Sequence, residues 1–178
     1  FQFVTACRKQ NIKPILGIEF RQDGDFLYLG IARNDEGWRE LCSLLTESSL
    51  NGEPLPSEAP VFQHCYIVYR KLPKGGELLH DYEYVGVRPS EVNHLYSSYL
   101  KNYQHKLVVF SPVTFADQDG FKAHKLLRCI DLNIVIGKLD AKACAVSSEI
   151  FYPPDYFEKI YEMYPVILEN TRKILDSC

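Results

Sequence analysis

The segment KPILGIEFRQDGDFLYLGIA, residues 13–32, decides the fold class. Its two apolar runs, residues 13–20 and 26–32, are separated by a charged loop that contains Asp23, Gly24 and Asp25. An Asp-Gly turn between two apolar runs predicts two neighbouring strands or a hairpin. The sheet of this protein is therefore expected to begin here.

Glu19 lies near the end of the first of these strands. A buried carboxylate costs several kcal/mol unless it is paired, hydrogen-bonded or bound to a metal. Three roles remain open from the residues alone: a metal ligand, a structural acid paired with another residue, or an exposed acid at a strand end.

Strands and helices alternate along the rest of the chain. Further strands are predicted at residues 64–70, 83–87 and 106–110. Helices are predicted after the N-cap residue Asn34, after Ser90, over residues 121–132, and from Pro154 and Pro165 onward. The pair Gly75-Gly76 predicts a plain turn. This alternation favours a single α/β domain over residues 1–178, built as a layered sheet or a barrel.

Composition narrows the class of protein. The 178 residues are 46% hydrophobic and carry a net charge of −3, which suits a folded domain and argues against a dedicated nucleic-acid-binding surface. Six cysteines occur without a C-x-x-C pair, so reduced thiols and a cytoplasmic location are expected. No apolar stretch approaches the length of a membrane span, so no membrane contact is expected.

Four segments in order along the chain resemble the polymerase-and-histidinol-phosphatase (PHP) domain of bacterial DNA polymerase III alpha subunits. ACRKQNIKPILGIEF (6–20) is similar to a family helix followed by GIKPIIGCEF, and IARNDEGWRELCSLLT (31–46) to AKNEEGYRNLCRLLS. KLVVFSPVTFADQDGFKAHKLLRCI (106–130) resembles PLVATNDVHYLNPEDREAHEVLLCI. ENTRKILDSC (169–178) is similar to ENTLEIAERC. Residues 50–105 match less well.

The resemblance implies a PHP-type distorted (β/α)7 barrel, here incomplete at its N-terminus, with residues 154–178 leading toward an absent palm domain. Strand ends in that family hold up to three divalent metals, Zn²⁺ or Mn²⁺ in an active site, which activate a water for phosphoester hydrolysis. The helix position of Phe1 and the missing early histidines suggest that family segments precede this sequence.

Glu19 falls on the family's metal-binding glutamate. The aspartate and histidine of the family's NDVH motif correspond here to Pro112 and Thr114, which are poor ligands or none. The resemblance thus implies a vestigial metal position at Glu19 and no catalytic residue. His124 is expected to be a core or capping histidine, and His64 would serve a site only if its neighbours converged.

By resemblance, the parent is the replicative DNA-directed DNA polymerase, a bacterial cytoplasmic nucleotidyltransferase that uses Mg²⁺ in its palm domain. This chain is expected to need no cofactor and to act as a structural and interaction domain. Its expected partners are the rest of the polymerase and replisome proteins such as a proofreading exonuclease, while DNA is contacted mainly by other domains. The alternative is an active metal-dependent phosphoesterase or 3′-5′ exonuclease completed by upstream ligands.

Overall fold

The structure, a computed structural model, describes residues 2–73 and 79–178, so Phe1 and the predicted Gly75-Gly76 turn lie outside the described residues. The α/β class is confirmed. The helices are α1 (Gln2–Lys9), α2 (Asp35–Asn51), α3 (Gln118–Asp131), α4 (Pro154–Ile160) and α5 (Pro165–Ser177). The strands are β1 (Gly17–Gln22), β2 (Asp25–Ala32), β3 (Cys65–Tyr69), β4 (Glu83–Val87) and β5 (Leu107–Val109). Short 3-10 helices cover Pro89–Ser97, Tyr99–Lys106, Ile136–Lys138 and Ala141–Ala143.

The five strands form one mixed sheet in the order β1-β2-β3-β4-β5. β2 is antiparallel to both β1 and β3, whereas β4 is parallel to β3 and to β5. Four strands, β1, β3, β4 and β5, therefore point their carboxyl ends to the same edge. In α/β sheets that edge is the usual place for a binding site.

The predicted hairpin is confirmed. β1 and β2 pair from Gly17 opposite Ile31 to Gln22 opposite Asp25. The two turn residues, Asp23 and Gly24, both have positive φ, 52° and 86°. Two consecutive positive φ values are typical of the tight turn whose twist matches that of the flanking strands, and Asp-Gly tolerates them at low cost.

The sheet of the described residues has β1 and β5 at its two edges, and no pairing between them closes a barrel. The coarse α/β class is therefore shown, while the barrel is not. Within the same residues, no helix is long and apolar enough to cross a bilayer.

Two helix starts follow from their cap residues. The side chain of Asn34 accepts the backbone N–H of Gly37 at 3.0 Å, and the side chain of Asp117 accepts that of Gly120 at 2.9 Å. Such caps satisfy backbone donors that have no partner within the helix.

Three predicted boundaries were wrong in detail. β1 begins at Gly17 and not at residue 13. The helix expected to be capped by Ser90 is a 3-10 helix that begins at Pro89, where proline fits because the first helical N–H needs no partner. The third helix begins at Gln118, three residues before the predicted 121, because Asp117 is its N-cap.

Core side chains cover both faces of this sheet. Two clusters lie on the face that carries Tyr69 and Val85, and a third lies on the opposite face around Val68 and Val108. One cluster packs α2 against the hairpin through the fully buried side chains of Phe20, Tyr28 and Leu41. A second cluster packs Ile167 of α5 against Val85 of β4. Each such side chain contributes roughly 1.5–3 kcal/mol by leaving water. The packing thus anchors the strands whose carboxyl ends form the site described next.

Candidate functional site

A cleft of about 780 Å³ opens where the strands end. It is lined by four arginines and four carboxylates, which come from separate segments: Arg21, Arg70, Arg88, Arg128, Glu19, Asp23, Asp25 and Glu149. Arg70 directly follows β3 and Arg88 directly follows β4. The sheet therefore brings together charges that are far apart in the sequence, and their formal charges balance.

Glu19 lies in this strand-end cleft and forms an ion pair with Arg21. Its Oε1 accepts a hydrogen bond from Nη2 of Arg21 at 2.7 Å, and the side chain is 44% exposed. Nη1 of Arg21 donates to the carbonyl oxygen of Gly24 at 2.8 Å, which ties the pair to the hairpin turn. The geometry is that of a paired acid at a strand end, one of the three roles that the sequence leaves open.

Glu149 is the most enclosed carboxylate of the cleft, with its side chain 13% exposed. Its Oε1 accepts from Nη2 of Arg88 at 3.2 Å, and its Oε2 accepts from the hydroxyl of Thr114 at 2.8 Å. Its carbonyl oxygen also accepts the backbone N–H groups of Thr114 and Phe115. Glu149 thereby fixes the segment after α3 across the end of β5.

Glu91 joins the two strand-end arginines. Its Oε1 pairs with Nη2 of Arg70 at 2.5 Å, and its Oε2 accepts the backbone N–H of Arg88 at 2.8 Å. Nη1 of Arg70 also donates to the carbonyl oxygen of Gly86. Since Arg88 in turn binds Glu149, these contacts form a connected network across the ends of β3, β4 and β5, which we call the arginine network.

An aromatic ring forms the base of this network. The guanidinium carbons of Arg70 and Arg88 lie 4.8 Å and 5.8 Å from the ring centroid of Phe110, and the ring of Phe26 meets Phe110 edge-on at 5.5 Å. Cation–π contacts of this kind contribute about 0.5–1 kcal/mol each at partly exposed sites. They also hold the guanidinium groups in fixed orientations.

Glu19 and Glu149, two of the carboxylates that line this cleft, are both partners of arginines. The carboxyl groups of Glu19 and Glu149 are each held by a guanidinium, which would repel a second cation. Among residues 2–73 and 79–178, no group of three or more His, Cys, Asp or Glu side chains is arranged to hold a metal ion. Hydroxyl and proline replacements at Thr114 and Pro112 add no strong ligand.

The structure nevertheless brings the positions highlighted by the resemblance into one region. Glu19 and Pro112 line the same pocket of about 280 Å³, beside the larger cleft. Thr114 donates a hydrogen bond from its hydroxyl to Glu149, which lines the larger cleft. Glu19 lies more than ninety positions before Pro112 and Thr114. Its location beside them therefore depends on the fold and not on local sequence.

The two histidines singled out in the sequence have structural contacts. His124 lines the cleft, and its Nε2 accepts the backbone N–H of Ala145 at 3.2 Å while its ring contacts Phe115. His64 lies just before β3, where Nδ1 is 3.4 Å from the side-chain nitrogen of Asn34. A core or capping role was expected for His124; its ring is half-buried and accepts a hydrogen bond from the backbone after α3.

Sequence reasoning missed Arg70, Arg88 and Glu149 as residues of the site. Arg70 and Arg88 each come directly after a buried apolar run, and this position was the available signal. It becomes informative only once those strands are known to be parallel, because only then do their carboxyl ends meet at one edge. Glu149 carries no comparable signal, since its segment has no regular structure.

No protein-family model matches this chain, and a search of curated proteins finds no significant match.

Proposed function

We propose that this chain is a PHP-type domain of a bacterial DNA polymerase III alpha subunit in which the arginine network stands in place of a metal cluster. Three features support the proposal: the ordered resemblance of four segments, the α/β sheet with four strand ends at one edge, and the common location of Glu19, Pro112 and Thr114. In this proposal the sheet belongs to a distorted (β/α)7 barrel.

The observation that carries the proposal is the pairing of the cleft carboxylates with arginines. A hydrolytic site of this class must hold metal ions on several carboxylate and imidazole ligands, and the metals then activate a water. Here Glu19 is bound to Arg21 and Glu149 to Arg88. Guanidinium groups remain protonated at all working pH values, so a change of pH within that range does not remove the partner charge from either carboxylate.

The proposed role is therefore structural. The domain braces the polymerase body and offers a surface to replisome proteins, including a proofreading exonuclease. Nucleotide addition, with Mg²⁺, belongs to a palm domain elsewhere in the parent, and DNA contacts belong mainly to other domains. The domain itself takes no cofactor and works in the bacterial cytoplasm.

Metal analysis and two activity assays on the parent polymerase test this proposal. After incubation with Zn²⁺ or Mn²⁺ and desalting, we expect no stoichiometric metal that depends on Glu19, and no hydrolysis of bis-p-nitrophenyl phosphate. Glu19→Ala should leave Mg²⁺-dependent primer extension unchanged, because Glu19 takes no part in nucleotide addition. Glu36→Ala is the matched control, since Glu36 is also an exposed acid in an ion pair with a nearby arginine, 2.9 Å from Arg39.

Two results would refute the proposal. Stoichiometric metal and phosphodiester turnover that are both lost in Glu19→Ala, but retained in Glu36→Ala, would establish the alternative, a metal-dependent phosphoesterase or exonuclease. A parent that shows no primer extension with Mg²⁺ would refute the polymerase assignment itself.

A further inference from the structure

Helix α3 and the residues after it expose an unusual number of large aliphatic side chains. Only Cys129 of α3 is buried. Leu127 is 64% exposed, Ile130 74% and Val135 66%. We call the whole group the aliphatic patch: Leu126, Leu127, Ile130, Leu132, Val135 and Ile136. Single exposed aliphatic residues are ordinary on protein surfaces, but six within eleven positions are typical of a binding surface.

Helical spacing and the following turn place these residues next to one another. Leu126 and Leu127 lie four and three positions before Ile130, so they share its face of α3. The chain then turns at Asn133, which has φ 51°, and the N–H of Ile134 bonds back to the carbonyl oxygen of Cys129. The 3-10 helix Ile136–Lys138 consequently packs beside α3 and extends the patch.

The charges around the patch are positive. Residues 118–138 carry four basic and two acidic side chains, whereas the whole chain has a net charge of −3. Lys122 and Arg128 pair with Asp119 and Asp131 at 2.7 Å and 2.6 Å. In the part of the chain that the structure describes, Lys125 and Lys138 form no ion pair. Lys125 and Lys138 therefore leave a net positive charge beside the apolar residues.

We propose that α3 and the 3-10 helix Ile136–Lys138 form a docking surface for an acidic amphipathic segment of a second protein. An amphipathic segment covers the aliphatic patch with its apolar face, as helices do in many protein complexes. Acidic residues at the edges of that segment face Lys125 and Lys138, which selects the partner and speeds association. The inference rests on the proposed protein-binding role, but it uses no residue that pairs with Glu19 or Glu149.

Two designed peptides test the charge and the apolar contact separately. Both carry the same leucine face at helical spacing, and one has glutamates at the edges where the other has lysines. With fluorescein-labelled peptides, we expect the acidic peptide to bind the full chain at least about tenfold more tightly than the basic one. Raising the salt concentration from about 50 mM to 500 mM should weaken the acidic peptide, because exposed charges are screened.

Matched variants locate the surface. Leu127→Ser with Ile130→Ser should weaken acidic-peptide binding about tenfold or more, as for loss of a contact centre. Leu50→Ser is the control, because Leu50 is 80% exposed on α2 and outside the patch. Lys125→Glu with Lys138→Glu should reverse the preference toward the basic peptide. Of these five positions, Lys125 is half-buried and the others are exposed. An unchanged urea unfolding curve shows that each variant is folded.

Three results would overturn the inference. The first is that the wild-type chain binds neither peptide, and the second is that it binds both equally. The third is that Lys125→Glu with Lys138→Glu leaves the preference for the acidic peptide unchanged. Sedimentation analysis adds a fourth: a concentration-dependent dimer that Leu127→Ser with Ile130→Ser abolishes would assign the patch to a second copy of this chain. None of these outcomes bears on the metal and primer-extension assays, so failure of this inference is distinguishable from failure of the proposed function.

Discussion

The ion pair between Arg88 and Glu149 should contribute measurably to the free energy of unfolding, because both side chains are largely shielded from water at the ends of the strands. Arg88→Met keeps the unbranched stem of the side chain and removes its guanidinium, while Glu149→Gln keeps the shape of the carboxyl group. The two single variants and the double variant form a double-mutant cycle. The single and the double variant that carry Arg88→Met both lose the contact with Phe110. This loss therefore cancels when the cycle is evaluated, and the coupling energy reports the pair of Arg88 and Glu149.

The expected coupling energy follows from the burial of the pair. Exposed ion pairs contribute about 0–1 kcal/mol, whereas removing one partner of a buried pair costs about 3–5 kcal/mol. The side chains of Arg88 and Glu149 are 27% and 13% exposed, between these limits. A hydrogen bond to a charged group contributes roughly 1.5–3 kcal/mol. We therefore expect a coupling of about 1.5 kcal/mol, and a loss of about 2 kcal/mol for Arg88→Met alone.

Urea unfolding followed by the fluorescence of Trp38, the one tryptophan of the chain, gives the free energy of unfolding for each variant. The control is a second cycle on Arg172 and Glu158, which pair at 3.0 Å with side chains 62% and 63% exposed. That coupling should stay below about 0.5 kcal/mol. The reasoning would be refuted if the Arg88–Glu149 coupling were no larger than that of the exposed pair.

Two further predictions concern buried groups of the core. The hydroxyl of Tyr28 is buried with no hydrogen-bond partner among the described residues, so Tyr28→Phe should raise the free energy of unfolding by about 1 kcal/mol. Tyr161→Phe is the control and should lower it, because this change removes a 2.6 Å hydrogen bond to the carbonyl oxygen of Val87. A loss of stability in Tyr28→Phe would contradict the argument. Burial, followed by the hydrogen bond to Glu40, raises the pKa of the Cys65 thiol from 9.0 to about 12. As the pH rises, the thiol is deprotonated in the unfolded chain before it is deprotonated in the folded chain. The free energy of unfolding should therefore fall between pH 9.0 and about 12, and it should fall less steeply in Cys65→Ala. Equal slopes for the two proteins, measured by urea unfolding at each pH, would contradict this.

Local features were predictable where one short segment decides them. The Asp-Gly turn of the hairpin, the Asn34 cap of α2 and the limits of β4 were all predicted correctly. For the turn and the cap, the deciding contacts lie within a few residues, as in the bond from Asn34 to Gly37. β4 pairs with distant strands, and its limits were predicted from its short apolar run alone. The predicted start of β1 failed because Pro14 and its neighbours are apolar but do not pair with β2, and pairing partners lie outside any local pattern.

The arginine network could not be predicted in the same way. Its pairs join residues 21 and 61 positions apart, Arg70 with Glu91 and Arg88 with Glu149. Their meeting depends on β3, β4 and β5 being parallel, and an apolar run does not disclose the direction of its neighbours. A basic residue directly after a strand is informative only when that direction is known.

Glu19 illustrates how a single acid acquires its meaning from the fold. The sequence leaves it three roles, and the resemblance favours a former metal position. Arg21 is only two residues away, so on a β-strand both side chains point to the same face and the pair forms locally. A metal site at the same carboxylate would have to displace this guanidinium and also overcome Arg70 and Arg88 in the same cleft. The local pair with Arg21 and the arginines brought in by the fold thus both surround the Glu19 carboxylate with positive charge, and both oppose the binding of a metal ion there.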